Sequence, residues 1–268
     1  MDYPFVTSTA GKNVVERYKP LENKNIEFAT HLHPWVSPPF EDDSDHVESL
    51  YSYPGNLSKN WEQRKLERLT ETIEQVTGTR PISYLAGRYG IGKHSAEILC
   101  GLGYKIDLSI SPYVDFSHQQ GPDFSCYSNK SFQKDNLVYL PHTCSILSAL
   151  PPVTNYLNRN PVKFTELQSN RVVSLVGKFF RIRRYRLSPE GFTFKQMKMV
   201  TESQIGIGQH EFILSFHSPS AKPGLTPYVR NQTDLKNFRK NITQYINWFT
   251  TVENGISLLP KEIMRDIV

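Results

Sequence analysis

Cysteine is scarce in this chain. Cys100, Cys126 and Cys144 stand far apart among 268 residues. An odd count with no Cys-x-x-Cys pair argues against a disulfide framework or a cysteine zinc site. Long apolar runs are also missing; a membrane helix needs roughly 20 such residues, so no membrane span is expected. The opening Met1-Asp-Tyr-Pro-Phe-Val-Thr7 lacks a basic patch followed by an apolar stretch. A secretory signal has that pattern, so the expectation is a cytoplasmic protein. Charge of one sign is scarce too. Thirty-one basic residues face 26 acidic ones, for a net +5. This mild surplus permits an acidic partner but does not call for nucleic acid. Four Asn-x-Ser/Thr triplets, at Asn56, Asn129, Asn231 and Asn241, mean little without a secretion signal.

What is present suffices for a core: 38% hydrophobic and 12% aromatic residues. No internal repeat interrupts the chain, and one domain over residues 1–268 is expected. The oligomeric state is not legible. Short strands are predicted at Tyr3–Thr7, Ile26–His33, Pro81–Ala86, Tyr104–Ile110 and Leu137–Leu140. Ser58 reads as the cap of a helix to about Val76, ended by Gly78. Another helix, Lys93–Leu102, is closed by Gly103. Strands alternating with helices across short joints suit a parallel sheet or barrel. Pro34–Gly55 and Ser111–Asp135 read as long loops. Phe164–Tyr185 is helical in pattern, ending in the basic cluster Arg181, Arg183, Arg184 and Arg186. That cluster reads as a solvated helix end favoured by the dipole, or as a phosphate or acidic-glycan patch. Phe194–Thr201 and Thr233–Glu253 suit helices, and Glu211–Phe216 a strand.

The most informative stretch is Ile26-Glu-Phe-Ala-Thr-His-Leu-His-Pro-Trp35. On a strand, residues two apart share a face, so His31 and His33 project together. Pro34 then ends the strand. Two convergent imidazoles are half of a zinc, iron or manganese site, or a surface pair beside a turn.

Gly87-Arg-Tyr-Gly-Ile-Gly-Lys93 follows a strand and opens a helix, as a phosphate-binding loop would. The Ser or Thr that holds magnesium should come next, but His94 stands there. The alternative is a Gly-rich turn that lets backbone pass close to a site. Further on, Phe212-Ile-Leu-Ser-Phe-His217 is an apolar strand finishing in histidine. In parallel barrels catalytic groups sit at the C-terminal ends of strands. His31, His33, Gly87-Arg88, His217 and the stretch after Asp107 all occupy that position.

Together these segments resemble the polysaccharide deacetylase family, the NodB-homology domain of carbohydrate esterase family 4. More narrowly they resemble its WalW-like branch, linked to lipopolysaccharide biosynthesis. The resemblance rests on His31–Pro39, Ala86–Gly90, Asp107–Tyr113, Ser215–Ser220 and Pro223–Tyr228. It implies an α/β fold, a distorted (β/α)7-type barrel. It also implies deacetylation of an N-acetylated polysaccharide or lipopolysaccharide sugar with a divalent metal, zinc foremost. By the same resemblance His31 is a metal ligand, with His33 as substitute for a second histidine, since Trp35 stands where the family has one. His217 is the general acid and Asp107 lies in the segment that supports it. Arg88, Tyr89 and Tyr113 line the substrate. Tyr51, Tyr53, Phe116 and Phe124, with Tyr113, are candidates to stack sugar rings or to pack over the barrel mouth.

The chain departs from the family in three places. Trp35 is one, and Leu85, where the family usually has arginine, is another. The third is the family's opening strand with its paired acids, which has no counterpart. The expectation is therefore an N-terminally incomplete domain without the base carboxylate, whose missing strand would be encoded upstream of Met1. The competing reading is a non-catalytic relative that binds a glycan or a protein.

Overall fold

The computed structural model describes residues 1–40, 48–169 and 180–267. Its core is a sheet of four parallel strands. These are β1 (Thr30–Leu32), β2 (Ser83–Ala86), β3 (Ile106–Asp107) and β5 (Leu137–Tyr139), side by side in that order. β4 (Phe132–Lys134) adds antiparallel to β5 at the far edge. His31 registers with Leu85, and Tyr84 with Asp107. All four parallel strands therefore end on the same side. At the open edge of β1 the His31 N–H donates to Met1 O at 2.8 Å.

The first helices differ from expectation. Tyr3–Thr7 is helix α1, not a strand. The Asp2 carboxylate accepts from the Phe5 N–H, and Pro4 sits in the first turn. Capping and a pre-set φ decide five residues whose aromatic and branched side chains read as β. Ser8 then caps α2 (Thr9–Tyr18) by accepting from Gly11 N.

α3 (Lys59–Thr77) follows its sequence signals. Ser58 accepts from Trp61 N, and Gly78 ends the helix at φ 78°. That left-handed turn suits glycine. Leu66, Leu69 and Ile73 face the sheet and are fully buried against Leu32, Tyr84 and Leu99. Each such side chain contributes about 1.5–3 kcal/mol by leaving water. Lys65, on the same helix, donates to the carbonyls of Pro34, Ser37 and Pro39. It pins the start of the loop after β1, so that part of Pro34–Gly55 is held in place. α4 (Ser95–Gly101) closes at Gly103, φ 90°.

Beyond β5 the chain builds a second layer. β6 (Cys144–Leu147) pairs antiparallel with β7 (Arg183–Arg186). α5 (Pro151–Arg159) and α6 (Pro161–Ser169) lie between them in sequence. The helix expected over Phe164–Tyr185 is thus corrected at its end. Four registered pairs make Arg183–Arg186 a strand, while 170–179 fall outside the described residues. α7 (Phe194–Ile205) has a full capping box, Thr193 with Gln196. It packs with α8 (Gln232–Thr251) through Met197, Val200, Tyr245 and Trp248. α9 (Pro260–Ile267) lays Ile263, Met264 and Ile267 on Ile106, Val138 and Leu140.

The architecture is mixed α/β with a mostly parallel sheet. Its described strands form two sheets, of five and two strands. The segment expected as strand Glu211–Phe216 carries no ladder among the described residues. It is tied to β7's end by Ser215 N to Leu187 O at 3.2 Å. No described helix is long and apolar enough to cross a membrane.

Candidate functional site

Strand ends bring the predicted residues together. β1 delivers His31 and His33, whose ring centroids lie 4.2 Å apart, edge to face. His31 Nδ1 donates to Leu85 O on the neighbouring strand at 2.7 Å, which leaves its Nε2 as the ring's lone-pair nitrogen. His33 stacks obliquely on Trp35 at 4.4 Å. Its Nδ1 is buried without a partner. Burial first, then the neighbouring His33, lowers the His31 pKa to about 4. Burial, then His217, lowers that of His33 to about 4. Both rings are neutral at neutral pH.

The Gly-rich turn after β2 presses on this pair. A Cβ on Gly87 would come within 2.5 Å of His33 Nδ1 and of Leu32 O. Only glycine admits that approach. Three of the turn's amides are already engaged: Gly90 N on Gly87 O, Ile91 N on Tyr89 O, and Gly92 N on Ser95 Oγ. Those three amides are not free to cradle a phosphate, and the contact at Gly87 fits the close-approach reading of this motif.

Arg88 and Tyr89 leave the turn in opposite senses, both at positive φ. Arg88 donates to Ser52 Oγ and Gln119 Oε1 and lies over the Tyr53 ring at 4.2 Å. It ties two loops together away from the histidines. Tyr89 turns toward them. Its ring meets His142 edge-on at 5.1 Å and its hydroxyl accepts from Arg186 Nη1 at 2.9 Å.

The opposite wall comes from residues after β7 and from the His217 segment. His217 Nδ1 donates to Glu190 Oε2 at 2.8 Å, and its own N–H donates to Oε1 at 3.0 Å. Ser220 Oγ adds a bond to Oε1 at 2.6 Å. The Glu190 side chain is fully buried, whereas that of His217 is 60% exposed. Burial alone would raise the Glu190 pKa, but these donors hold it below the ordinary carboxylate range.

Asp107 was expected to stand behind His217, yet the carboxylate bonded to that histidine is Glu190. Asp107 is buried beneath the strand ends and accepts from Ser109 N at 2.7 Å. Burial, opposed by Ser109, lifts its pKa to about 6. Tyr113 is also corrected. It is 2% exposed, among Cys144, Ile146, Leu157 and Phe164, so no substrate reaches it. Its left-handed φ of 62° turns the ring inward, where the hydroxyl donates to Asn158 O. Tyr53 and Phe124 are equally buried; Tyr51 is 40% exposed.

Sequence reasoning missed His142 and Glu190, and misplaced Arg186. His142 had a signal, since it too follows a strand end, in Leu140-Pro-His. It donates to or accepts from Ser215 Oγ through Nδ1 at 3.0 Å, while Nε2 is buried and unpartnered. Burial, then Arg186 and Arg184, lowers its pKa to about 3. Glu190 had none, for its contact with His217 is purely tertiary.

The family resemblance implies a divalent metal. Two neutral imidazoles, one with an orphaned buried nitrogen, are suitable donors. Among the described residues, however, no three His, Cys, Asp or Glu side chains converge to hold an ion. Catalytic zinc usually takes three protein ligands, so the residues here do not complete such a set. Two cavities, of about 650 and 680 Å³, lie elsewhere, the larger between the Phe212 segment and the end of α8.

No family model matches the chain, and no curated protein matches it. A crystal structure from Mycobacterium smegmatis, assigned provisionally as a polysaccharide deacetylase, matches at 20% identity. The match covers 49% of this chain and 37% of the other, with a TM-score of 0.32. A likeness that shallow places no residue and carries no weight for activity.

Proposed function

We propose that the protein hydrolyses the acetamide of an N-acetylated polysaccharide or lipopolysaccharide sugar. The motif resemblance supports the substrate class, the WalW-like branch and the family's distorted (β/α)7-type barrel, its first strand missing here. One observation carries the chemistry: His217 Nδ1 on buried Glu190 at 2.8 Å. An amine is a poor leaving group unless protonated. The carboxylate fixes the imidazole's tautomer and stabilises its cation, so the other ring nitrogen can give its proton to the departing nitrogen. Water adds its oxygen to the carbonyl carbon and loses a proton to solvent, the C–N bond breaks as His217 protonates the nitrogen, acetate and a free amine leave, and His217 regains its proton from solvent. Glu190 is the positioning residue and His217 the acid. No step is drawn through a metal.

The test is acetate release from N-acetylated chitooligosaccharides, with zinc added and with chelator. His217→Ala should lower turnover about 100-fold or more, the usual worth of a placed acid. Glu190→Gln should lower it less and leave KM unchanged. Zinc-dependent release would support the metal-dependent form of this reading. A second reading, a non-catalytic glycan binder, is favoured by the lack, among the described residues, of a group of three ligating side chains that would include His31 and His33. Sugar binding without acetate release under any metal would decide for it.

A further inference from the structure

Strand β7 divides the arginine cluster by its period of two. Arg183 is exposed, whereas Arg184 and Arg186 turn inward and are partly buried. Arg184 is closely tied: Nε donates to Pro112 O at 2.6 Å, and Nη2 to Ser111 Oγ at 2.7 Å and Cys144 Sγ at 3.0 Å. Arg186 is not. Nη1 donates to Tyr89 Oη, but Nη2 stands 3.6 Å from Glu190 Oε2, beyond hydrogen-bond reach. Its side chain is 17% exposed.

Its ion-pair partner is already engaged. Glu190 already accepts from His217 and Ser220, and Asp107 is turned to Ser109. Arg186 is therefore offset by a loose 3.6 Å ion pair with a carboxylate already bonded to two other residues, whereas charges removed from water are normally paired closely. A guanidinium offers five donors in a flat fork that fits carboxylate or phosphate. Tyr228 completes the setting. It is 44% exposed and packs on Gly191, whose Cβ position lies 3.7 Å from its ring. Its phenol is near enough to act electrostatically on Arg186.

We infer that Arg186 is an anion subsite beside His217, taking a carboxylate or phosphate borne by the sugar whose ring lies on Tyr228. This rests on the glycan reading above and narrows it to acidic or phosphorylated sugars.

Calorimetry on the full chain tests it with four probes: inorganic phosphate, N-acetylglucosamine, its 6-phosphate, and N-acetylmuramic acid. At least one charged sugar should bind about tenfold more tightly than the neutral one, a difference of about 1.4 kcal/mol. Which one does so separates phosphate from carboxylate. The preference should vanish in Arg186→Gln, persist in part in Arg186→Lys, and stay intact in Arg183→Gln on the exposed face. Equal binding of neutral and charged sugars would overturn the inference, as would a preference that survives in folded Arg186→Gln. If Arg186→Gln fails to fold, loss of the preference in 0.5 M salt — roughly a 4 Å screening length — serves instead, and its persistence there would count against the subsite. Phosphate binding lost in Arg186→Gln, with no sugar bound at all, would instead overturn the glycan reading.

Discussion

On one wall of the site Glu190 is buried and accepts three hydrogen bonds, two from His217 and one from Ser220. On the other, His33 keeps a buried Nδ1 with no partner, and no group of three ligating side chains forms among the described residues. The difference teaches where this fold has invested order. A buried carboxylate persists only when its lone pairs are satisfied, so the Glu190 wall is preorganised. The imidazole wall is apolar in its electrostatics, because burial keeps both rings neutral. It is poised to receive something rather than to hold itself together.

The sharpest way to break that contrast is Glu190→Ala. It strips a buried acceptor from three donors and leaves Arg186 with no carboxylate nearby. Removing one member of a buried charged network costs about 3–5 kcal/mol. His33→Ala should cost far less, since no hydrogen bond is lost. Denaturant melts of the two variants measure the difference, and equal losses would mean that the walls are not built differently.

A second contrast lies in proton uptake. His31, His33 and His142 have lowered pKa values, near 4, 4 and 3. The folded state therefore binds fewer protons than the unfolded one at these groups, and their stabilisation is lost as pH falls below 6.5. Asp107 and Glu62 have raised values, near 6 and 7, chiefly through burial. They act in the opposite sense: their stabilisation is full below about pH 4 and is lost as pH rises from there to their folded values of about 6 and 7. Between pH 4.5 and 6 three imidazoles outweigh two carboxyls by one proton. Stability should rise there by about 1 kcal/mol per pH unit, the half-buried imidazoles giving less than their full worth. Glu62→Gln removes one opposing group and should roughly double the slope. Melting curves across this range check the sign, and a slope that falls after the substitution would show that Glu62 is ionised in the folded protein.

The same two walls show what the sequence could disclose. Alternation placed His31 and His33 on one face, and strand ends located His217 and the Gly-rich turn, because these depend on local periods. The limits of α3 were legible in Ser58 and Gly78 for the same reason. Asp2 and Pro4 also carried a local signal, but it was outweighed by a β-like reading of Tyr3–Thr7. Tyr113 looked like a loop aromatic, and its inward turn follows from one left-handed residue. Glu190 reaches His217 across 27 positions. It does so from a turn whose Gly191 has φ 81°. No spacing rule encodes such a contact. Arg186 was visible as charge, but its face depended on a strand that the helical pattern of Phe164–Tyr185 concealed.

The smallest expected effect belongs to a residue that bridges the walls. Tyr89 leaves the Gly-rich turn beside His33, meets His142 with its ring, and receives Arg186 at its hydroxyl. Tyr89→Phe keeps the ring and its packing against Phe116 and deletes only the acceptor. Because Arg186 is partly exposed, water can replace the lost bond, so the cost should be about 1 kcal/mol. The consequence for binding should exceed that for stability. Freed from Tyr89, the guanidinium can close the gap to Glu190 and turn away from an incoming anion. Tyr89→Phe should therefore weaken the charged sugar while leaving the neutral one unchanged, with melting little altered. If both sugars weaken equally, Tyr89 touches the sugar itself and the bridge is not what sets the preference.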